Sequence, residues 1–176
     1  MYVPSDDTFF ISDIIKNYKG NYALEIGIGS GYLTNILCKN FKFVIGTDID
    51  FTSIKYSKNQ LKKFDNKFLI CCNVCEPIKK YAFDIIVSNP PYLPIDNKYI
   101  TDKTIFGGIN GIEVTIKILQ SFKCNLHEDG KIIFIVSSLS NNTQLEEFVS
   151  INKLKKKILA KKILFYEILE IWEITM

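Results

Sequence analysis

Apolar positions along this chain switch repeatedly between helical and strand spacing, and the switching predicts an architecture. Phe9, Phe10, Ile14 and Ile15 recur at helical spacing behind Asp6 and Asp7, either of which can cap the helix start. Gly20-Asn21 breaks that pattern. A short strand is predicted over 22–26, a helix over 32–40, a second strand over 43–48 and a helix over 52–64. Strands follow at 67–72 and 83–88. The run Phe83-Asp84-Ile85-Ile86-Val87 reads as a strand buried on both faces. Residues 96–110 are polar and contain glycine, long enough for a mobile lid or substrate loop. A helix is predicted over 112–126, ended by Gly130, then a strand over 131–136 and a short helix over 142–151. Residues 153–176 are dominated by β-branched and aromatic side chains and read as two strands.

Alternating strands and helices imply a Rossmann-like, doubly wound α/β fold with a seven-stranded, mostly parallel sheet covered on both faces. The last two strands have no helix between them, which makes an antiparallel hairpin at one edge. No repeat, low-complexity segment or linker interrupts the pattern, so residues 1–176 are expected to form a single domain.

Composition narrows the function classes. The chain has 176 residues, 47% apolar and 23% charged, enough for a sizeable core and far from the composition of a disordered chain. No apolar stretch approaches the roughly 20 residues needed to cross a bilayer. The first residues carry neither a basic segment nor an apolar one of the kind that directs secretion, so a cytoplasmic protein is expected. The net charge is +3, and every basic residue is Lys. Without Arg the bidentate contacts that read bases and phosphates are missing, which argues against a nucleic-acid partner. The lysine run Lys153, Lys155, Lys156, Lys157, Lys161 and Lys162 reads as a solvated strand. Cys71, Cys72 and Cys75 lack a second pair at ligand spacing, since Cys38 and Cys124 stand alone, so no metal site is expected. His127, the single histidine, falls in a predicted helix-to-strand turn and is read as a surface residue.

Candidate chemistry gathers at strand ends. Gly27-Ile28-Gly29-Ser30-Gly31 lies between a strand and a helix, where glycines let the backbone approach a ligand and the helix N-terminus offers free N–H groups. Tyr32 stands where a dinucleotide fingerprint would require glycine. Asp48 ends the second strand, placed to accept both hydroxyls of a ribose, with Asp50 able to share that task or to cap the next helix. Glu25 precedes the glycine turn and could cap the helix beyond it. Together with Gly27, Gly29, Gly31 and Asp48 it points to a nucleoside-containing cofactor. Asn73-Val74 follows the third strand, where the base of such a ligand would fall. Asn89-Pro90-Pro91-Tyr92 closes the fourth strand. Two prolines stop the ladder and stiffen the turn, so an amide side chain, a carbonyl with few amide partners and an aromatic ring form a socket for a planar group ending in NH2.

Glu25-Ile26-Gly27-Ile28-Gly29-Ser30-Gly31, Asp48 and Asn89-Pro90-Pro91-Tyr92 together resemble the class I S-adenosylmethionine-dependent methyltransferases that carry an Asn-Pro-Pro-Tyr motif. Pro4-Ser5-Asp6-Asp7-Thr8-Phe9, Gly107-Gly108-Ile109-Asn110-Gly111-Ile112-Glu113 and Ile135-Val136-Ser137-Ser138-Leu139-Ser140 are similar to the HemK-like protein methyltransferases of archaea and eukaryotes. The resemblance implies methyl transfer to the glutamine of the Gly-Gly-Gln motif of a peptide-chain release factor. Asn89, Pro90 and Tyr92 would be catalytic, and Pro91 would join them against the substrate. Thr8, Glu25, Gly27, Gly29, Gly31, Asp48, Asn73, Val74 and Asn89 would hold S-adenosylmethionine. Family members usually carry Asp where Asn73 stands; an amide oxygen can still accept from an adenine amine. The apolar third strand, at a sheet edge in this fold, implies a cover, and the resemblance suggests a small zinc-binding activator as heterodimer partner. Adenine-N6 or lysine methylation, and a cofactor-binding subunit without activity, stand as alternatives.

Overall fold

The computed structural model describes residues 3–78, 83–95, 102, 104–122 and 126–176. In chain order its elements are α1 (Asp6–Ile15), β1 (Gly20–Ile26), α2 (Tyr32–Asn40), β2 (Phe41–Asp48), α3 (Phe51–Gln60), β3 (Lys67–Cys71), β4 (Phe83–Ser88), β5 (Leu93–Pro94), β6 (Phe106–Gly108), α4 (Glu113–Phe122), β7 (Leu126–Ser137), α5 (Asn142–Ile151), β8 (Lys155–Ile163) and β9 (Ile168–Thr175). Seven strands form one sheet in the order β3-β2-β1-β4-β7-β9-β8, and β5 and β6 pair separately. From β3 to β7 all pairings are parallel, whereas β9 runs antiparallel to both β7 and β8. The mostly parallel sheet with its antiparallel closing hairpin is therefore as the residue pattern predicts.

Period-two alternation sends successive side chains of each central strand to opposite faces. Leu24, Ile86, Ile132, Phe134 and Trp172 enter one core with Ile118, Leu119, Leu145 and Val149 of α4 and α5. Ala23, Ile85, Val87, Ile133 and Ile171 enter the other with Ile11 and Ile15 of α1 and Leu33 and Leu37 of α2. Ile54 and Leu61 extend cover over Ile28 near the β3 edge. Ile86 and Val87 of β4 are wholly buried, which fits the reading of this strand as covered on both faces.

Local differences from the expected elements have physical causes. Ser5, not Asp6 or Asp7, occupies the N-cap of α1, and both acids fall in its first turn. Helix α4 ends by Phe122 and Leu126 already belongs to β7, where it pairs with Phe83. The helical period runs on into Leu126, but pairing with β4 claims it, and Gly130 lies inside β7 rather than at a helix end. His127 is exposed at the start of that strand, not in a free turn. The expected loop over 96–110 is partly outside the described residues; its remainder holds β6. Cys124 is likewise outside them.

The lysine run lies along β8, where Lys161 pairs with Glu170 at 2.6 Å, Lys162 with Asp6 at 3.4 Å and Lys156 with Glu146. Lys156 also sits 4.1 Å from the centre of the Trp172 ring. Cys71 is exposed, Cys72 half-buried and Cys75 buried. Among the described residues no His/Cys/Asp/Glu cluster could hold a metal ion, and no helix is long and apolar enough to cross a membrane.

Leu24 is fully buried and Ile151 is 80% exposed. Leu24→Ala is expected to cost about 2–5 kcal/mol, and Ile151→Ala to change stability by no more than about 0.5 kcal/mol, as read from denaturant unfolding of each variant.

Candidate active site

Parallel strands β1, β2, β3 and β4 end on one edge of the sheet, and a cavity of about 670 Å³ opens there. That size suits a small-molecule site. Thr8, Glu25, Gly27, Gly29, Asp48, Asn73, Val74, Asn89, Pro90, Pro91 and Tyr92 all line it, so segments spread from α1 to the turn after β4 are brought together. Gly31 does not line the cavity; it serves the bend beside it. Its φ of +81° is open to glycine, and a Cβ there would stand 3.2 Å from Ser57 and Leu61.

Backbone donors pin the bend between β1 and α2. The N–H groups of Gly27 and Ile28 both donate to Thr47 O at 2.8 Å. Asp48 Oδ2 accepts the Gly29 N–H at 2.9 Å, and its Oδ1 accepts the Asp50 N–H at 2.9 Å. Each oxygen keeps a second lone pair for a further donor. Asp50 also lines the cavity, and its carboxylate caps α3 by accepting the N–H groups of Thr52 and Ser53. Hydrogen bonds from Thr52 and Ser53 hold its pKa down at about 2.

Glu25 is 2% exposed and accepts a hydrogen bond from the Thr34 hydroxyl of α2. Burial pushes its pKa up to about 8, more than the Thr34 hydrogen bonds lower it, with the nearby Asp48 charge raising it further. Such a carboxyl is poised to ionise against a cation.

Beyond β3, Val74 adopts φ +53°, a left-handed backbone that is costly for a β-branched residue, by about 1–3 kcal/mol. The Thr47 hydroxyl holds it, donating to Val74 O at 2.6 Å. Asn73 Nδ2 donates to Glu76 Oε1 at 2.6 Å. A carboxylate only accepts, so the amide nitrogen must face Glu76 and the amide oxygen is left available.

Ser88 Oγ ties the end of β4 to β1, donating to Ile26 O at 2.8 Å. The turn that follows is buttressed from behind. Ser140 Oγ donates to Tyr92 O at 2.6 Å, and Gly107 packs so closely that a Cβ would lie 2.3 Å from Pro91 O. Asn89 Nδ2 donates to Asp7 Oδ2 at 3.1 Å and to Thr8 Oγ1 at 3.3 Å. Asp7 is itself 5% exposed, and its other oxygen accepts the Thr8 N–H at 2.6 Å. Asn89 Oδ1 is left buried with no hydrogen-bond partner. Among the described residues three buried side-chain oxygens share that condition, and of these only the one on Asn89 belongs to a cavity residue. An unmet buried acceptor in a cavity is a site for an N–H donor.

Asp7 was legible only as a helix cap. The signal for a second task was the doubling of acids behind Ser5, where one cap would suffice. Thr47 gave no signal beyond its place in a strand. Tyr32, which replaces the expected third glycine, lines the cavity and meets Phe9 edge-on at 5.4 Å.

Residues 6–162 match the family described as the methyltransferase small domain. The chain is 29% identical over 162 residues to a Methanocaldococcus jannaschii protein named as a protein N5-glutamine methyltransferase, covering 88% of this chain and 79% of that one. It is 28% identical over 163 residues to the release factor glutamine methyltransferase of Aquifex aeolicus, covering 85% of this chain and 54% of that one, so it spans about half of the bacterial protein. Among solved structures it resembles the E. cuniculi Mtq2–Trm112 complex, responsible for methylation of the translation termination factor eRF1, with a TM-score of 0.79 at 21% identity over 99% of this chain and 97% of that one. At that identity the likeness shows the fold, while the family match spans nearly every element that builds the cavity: the chain belongs to the methyltransferase small-domain family.

Proposed function

We propose that this chain, as one catalytic domain acting in the cytoplasm, methylates N5 of the glutamine in the Gly-Gly-Gln motif of a peptide-chain release factor. The observation that carries this reading is Asn89 Oδ1, a buried acceptor without a partner whose own amide nitrogen is tied back by Asp7 and Thr8. A primary amide offers two N–H donors in one plane. Asn89 Oδ1 takes one, and the carbonyl of Pro90, at the next position of the same turn, takes the other. Two fixed dipoles then stabilise positive charge as it develops on the acceptor nitrogen. Tyr92 stacks on the planar group, and the prolines keep the socket from relaxing. No strong base is needed, because the nitrogen becomes acidic as it is alkylated.

S-adenosylmethionine supplies, when bound, a methyl group already activated on a positively charged sulfur. The residues present fit it. Glu25 is a buried carboxyl whose raised pKa an ammonium beside it would bring down, ionising it, and the Gly27 to Gly31 bend at the start of α2 favours the adjoining carboxylate. Asp48 retains two lone pairs for ribose hydroxyls, the Asn73 amide oxygen can accept from an adenine amine, and Val74 forms the apolar wall beside it. Thr8 closes the site near Asn89.

The sheet edge at β3 supports a partner. Phe68 is 55% exposed there, and Ile49, whose carbonyl meets Cys71 at the end of β3, and Phe51 are 69% and 67% exposed. An open parallel edge with apolar side chains is a template for a further strand. A small zinc-binding subunit is the cover we propose.

Mass spectrometry of a release factor incubated with the chain and S-adenosylmethionine is expected to find one added methyl group on the Gly-Gly-Gln glutamine, and none on a lysine peptide or an adenine-containing oligonucleotide run in parallel. Asn89→Ala is expected to lower kcat by about 10²–10³-fold, in the range of other lost transition-state acceptors or donors. Asp7→Asn presents an amide to the Asn89 amide and should lower kcat by about 10–100-fold through misplacement, with cofactor affinity by calorimetry changed far less. Glu25 gives a pH signature. An acid whose folded pKa lies above its unfolded one holds its proton more tightly when folded, so its contribution is lost as pH rises from about 4.5 through about 8. The Tm of the ligand-free chain should fall across that window, and Glu25→Gln should flatten the fall.

A further inference from the structure

The hairpin joining β8 to β9 turns at Phe165 and Tyr166, and both rings stand in solvent, 91% and 84% exposed. β8 ends at Ile163 and β9 begins at Ile168, so the loop is Leu164 to Glu167, and the Leu164 N–H donates to Glu167 O at 2.8 Å across it. Among the described residues only Val74 and Lys153 adopt positive φ without being glycine, so Phe165 and Tyr166 make the turn without it. Their rings meet edge-on, 4.7 Å apart, and bury each other only in part. Nothing in the fold calls for two aromatics at this tip, and a local choice that the fold does not need marks a functional position.

Register fixes where the tip points. Ser88 at the end of β4 aligns with Phe134 of β7, Ser137 pairs with Leu169 at the start of β9, and Ile168 pairs with Ile163 at the end of β8. The loop therefore projects from the same sheet edge as Asn89. At about 4.8 Å per strand it lies about 10–15 Å to the side of β4. An interface of standard size covers about 800 Å² on each partner, a disc of about 16 Å radius, so a protein centred on Asn89 reaches the tip. A continuous path of contacts connects them. Ser140 holds Tyr92, Ser138 Oγ accepts the Ile168 N–H at 2.9 Å, and exposed Leu139 lies between these two serines in the chain.

We infer that Phe165 and Tyr166 are a docking point for the body of the protein substrate, outside the loop that enters the cavity. This rests on the protein-substrate reading above. The chemistry at the tip favours protein over nucleic acid. Lys161 and Lys162, the cations beside it, are taken up by Glu170 and Asp6, and Lys155 and Lys157 lie toward the other end of β8, away from the Asn89 edge. A bare aromatic pair with no unpaired cation beside it on β8 among the described residues suits an apolar protein surface, and large aromatics dominate binding energy in such patches.

The test compares the full chain, with its partner subunit where one co-purifies, and a Phe165→Ala/Tyr166→Ala variant on an intact release factor and on a short Gly-Gly-Gln peptide. The variant is expected to raise KM for the intact factor by about 10-fold or more, to leave kcat on it within about twofold, and to show no matching rise in KM for the peptide. Phe165→Ser/Tyr166→Ser, which puts small polar turn residues at the tip, should show the same KM effect with a far-UV circular dichroism spectrum matching that of the parent. Equal KM values for the intact factor overturn the inference, as does an equal loss with the peptide. So does recovery of binding to an RNA hairpin in place of the factor. If the parent chain methylates neither factor nor peptide, the substrate assignment itself fails, and the docking point falls with it.

Discussion

A primary amide in a protein interior has two donors and one acceptor to satisfy, and the surroundings decide which half is served. At Asn89 they serve the nitrogen. Asp7 and Thr8 accept from it, a carboxylate can do nothing else, and the orientation of the amide is thereby set. The oxygen is left buried without a partner, on a residue that lines the cavity. Desolvating such an acceptor is unfavourable, and a correctly shaped donor recovers that loss. The same device recurs on a smaller scale at Asn73, whose nitrogen is claimed by Glu76. In both places an acid fixes which half of the neighbouring amide is left to accept.

This constraint reaches well beyond the pocket, because the acid that orients Asn89 comes from the first helix. α1 packs into one core through Ile11 and Ile15, its first turn reaches over the cavity through Asp7 and Thr8, and Asp6 beside them pairs with Lys162 of β8. The turn after β4 is supported from the other direction by Ser140 and by the close approach of Gly107. A rigid two-proline segment held between these supports keeps its carbonyl groups fixed. Preorganisation of that kind is what a reaction at a weakly nucleophilic nitrogen requires.

Much of this could be read from residue order alone. The strand–helix alternation, the doubly buried β4, the glycine bend and Asp48 all announce themselves locally, since each depends on a few neighbouring residue types. What stayed hidden depends on distant partners. Leu126 continues a helical period, yet Phe83 draws it into β7. Asp7 looks like a cap until Asn89 is folded against it. Asp50 could serve a ribose or a helix, and only the placed N–H groups of Thr52 and Ser53 reveal that it caps the helix. The left-handed backbone at Val74 has no compositional sign at all, because a β-branched residue is the last choice for it and Thr47 must hold it there.

The sheet order carries a further consequence. β9 follows β8 in the chain but lies between β7 and β8 in space. During vectorial synthesis β8 emerges with no neighbour to join, and β7 waits with one side bare. Only when Ile168 to Thr175 has cleared the ribosome can Trp172, Ile171 and Ile174 zip the two halves together, all at once. Nascent chains therefore remain open on this flank until β9 has followed β8 out, a window in which a chaperone has something to hold and a protease something to cut.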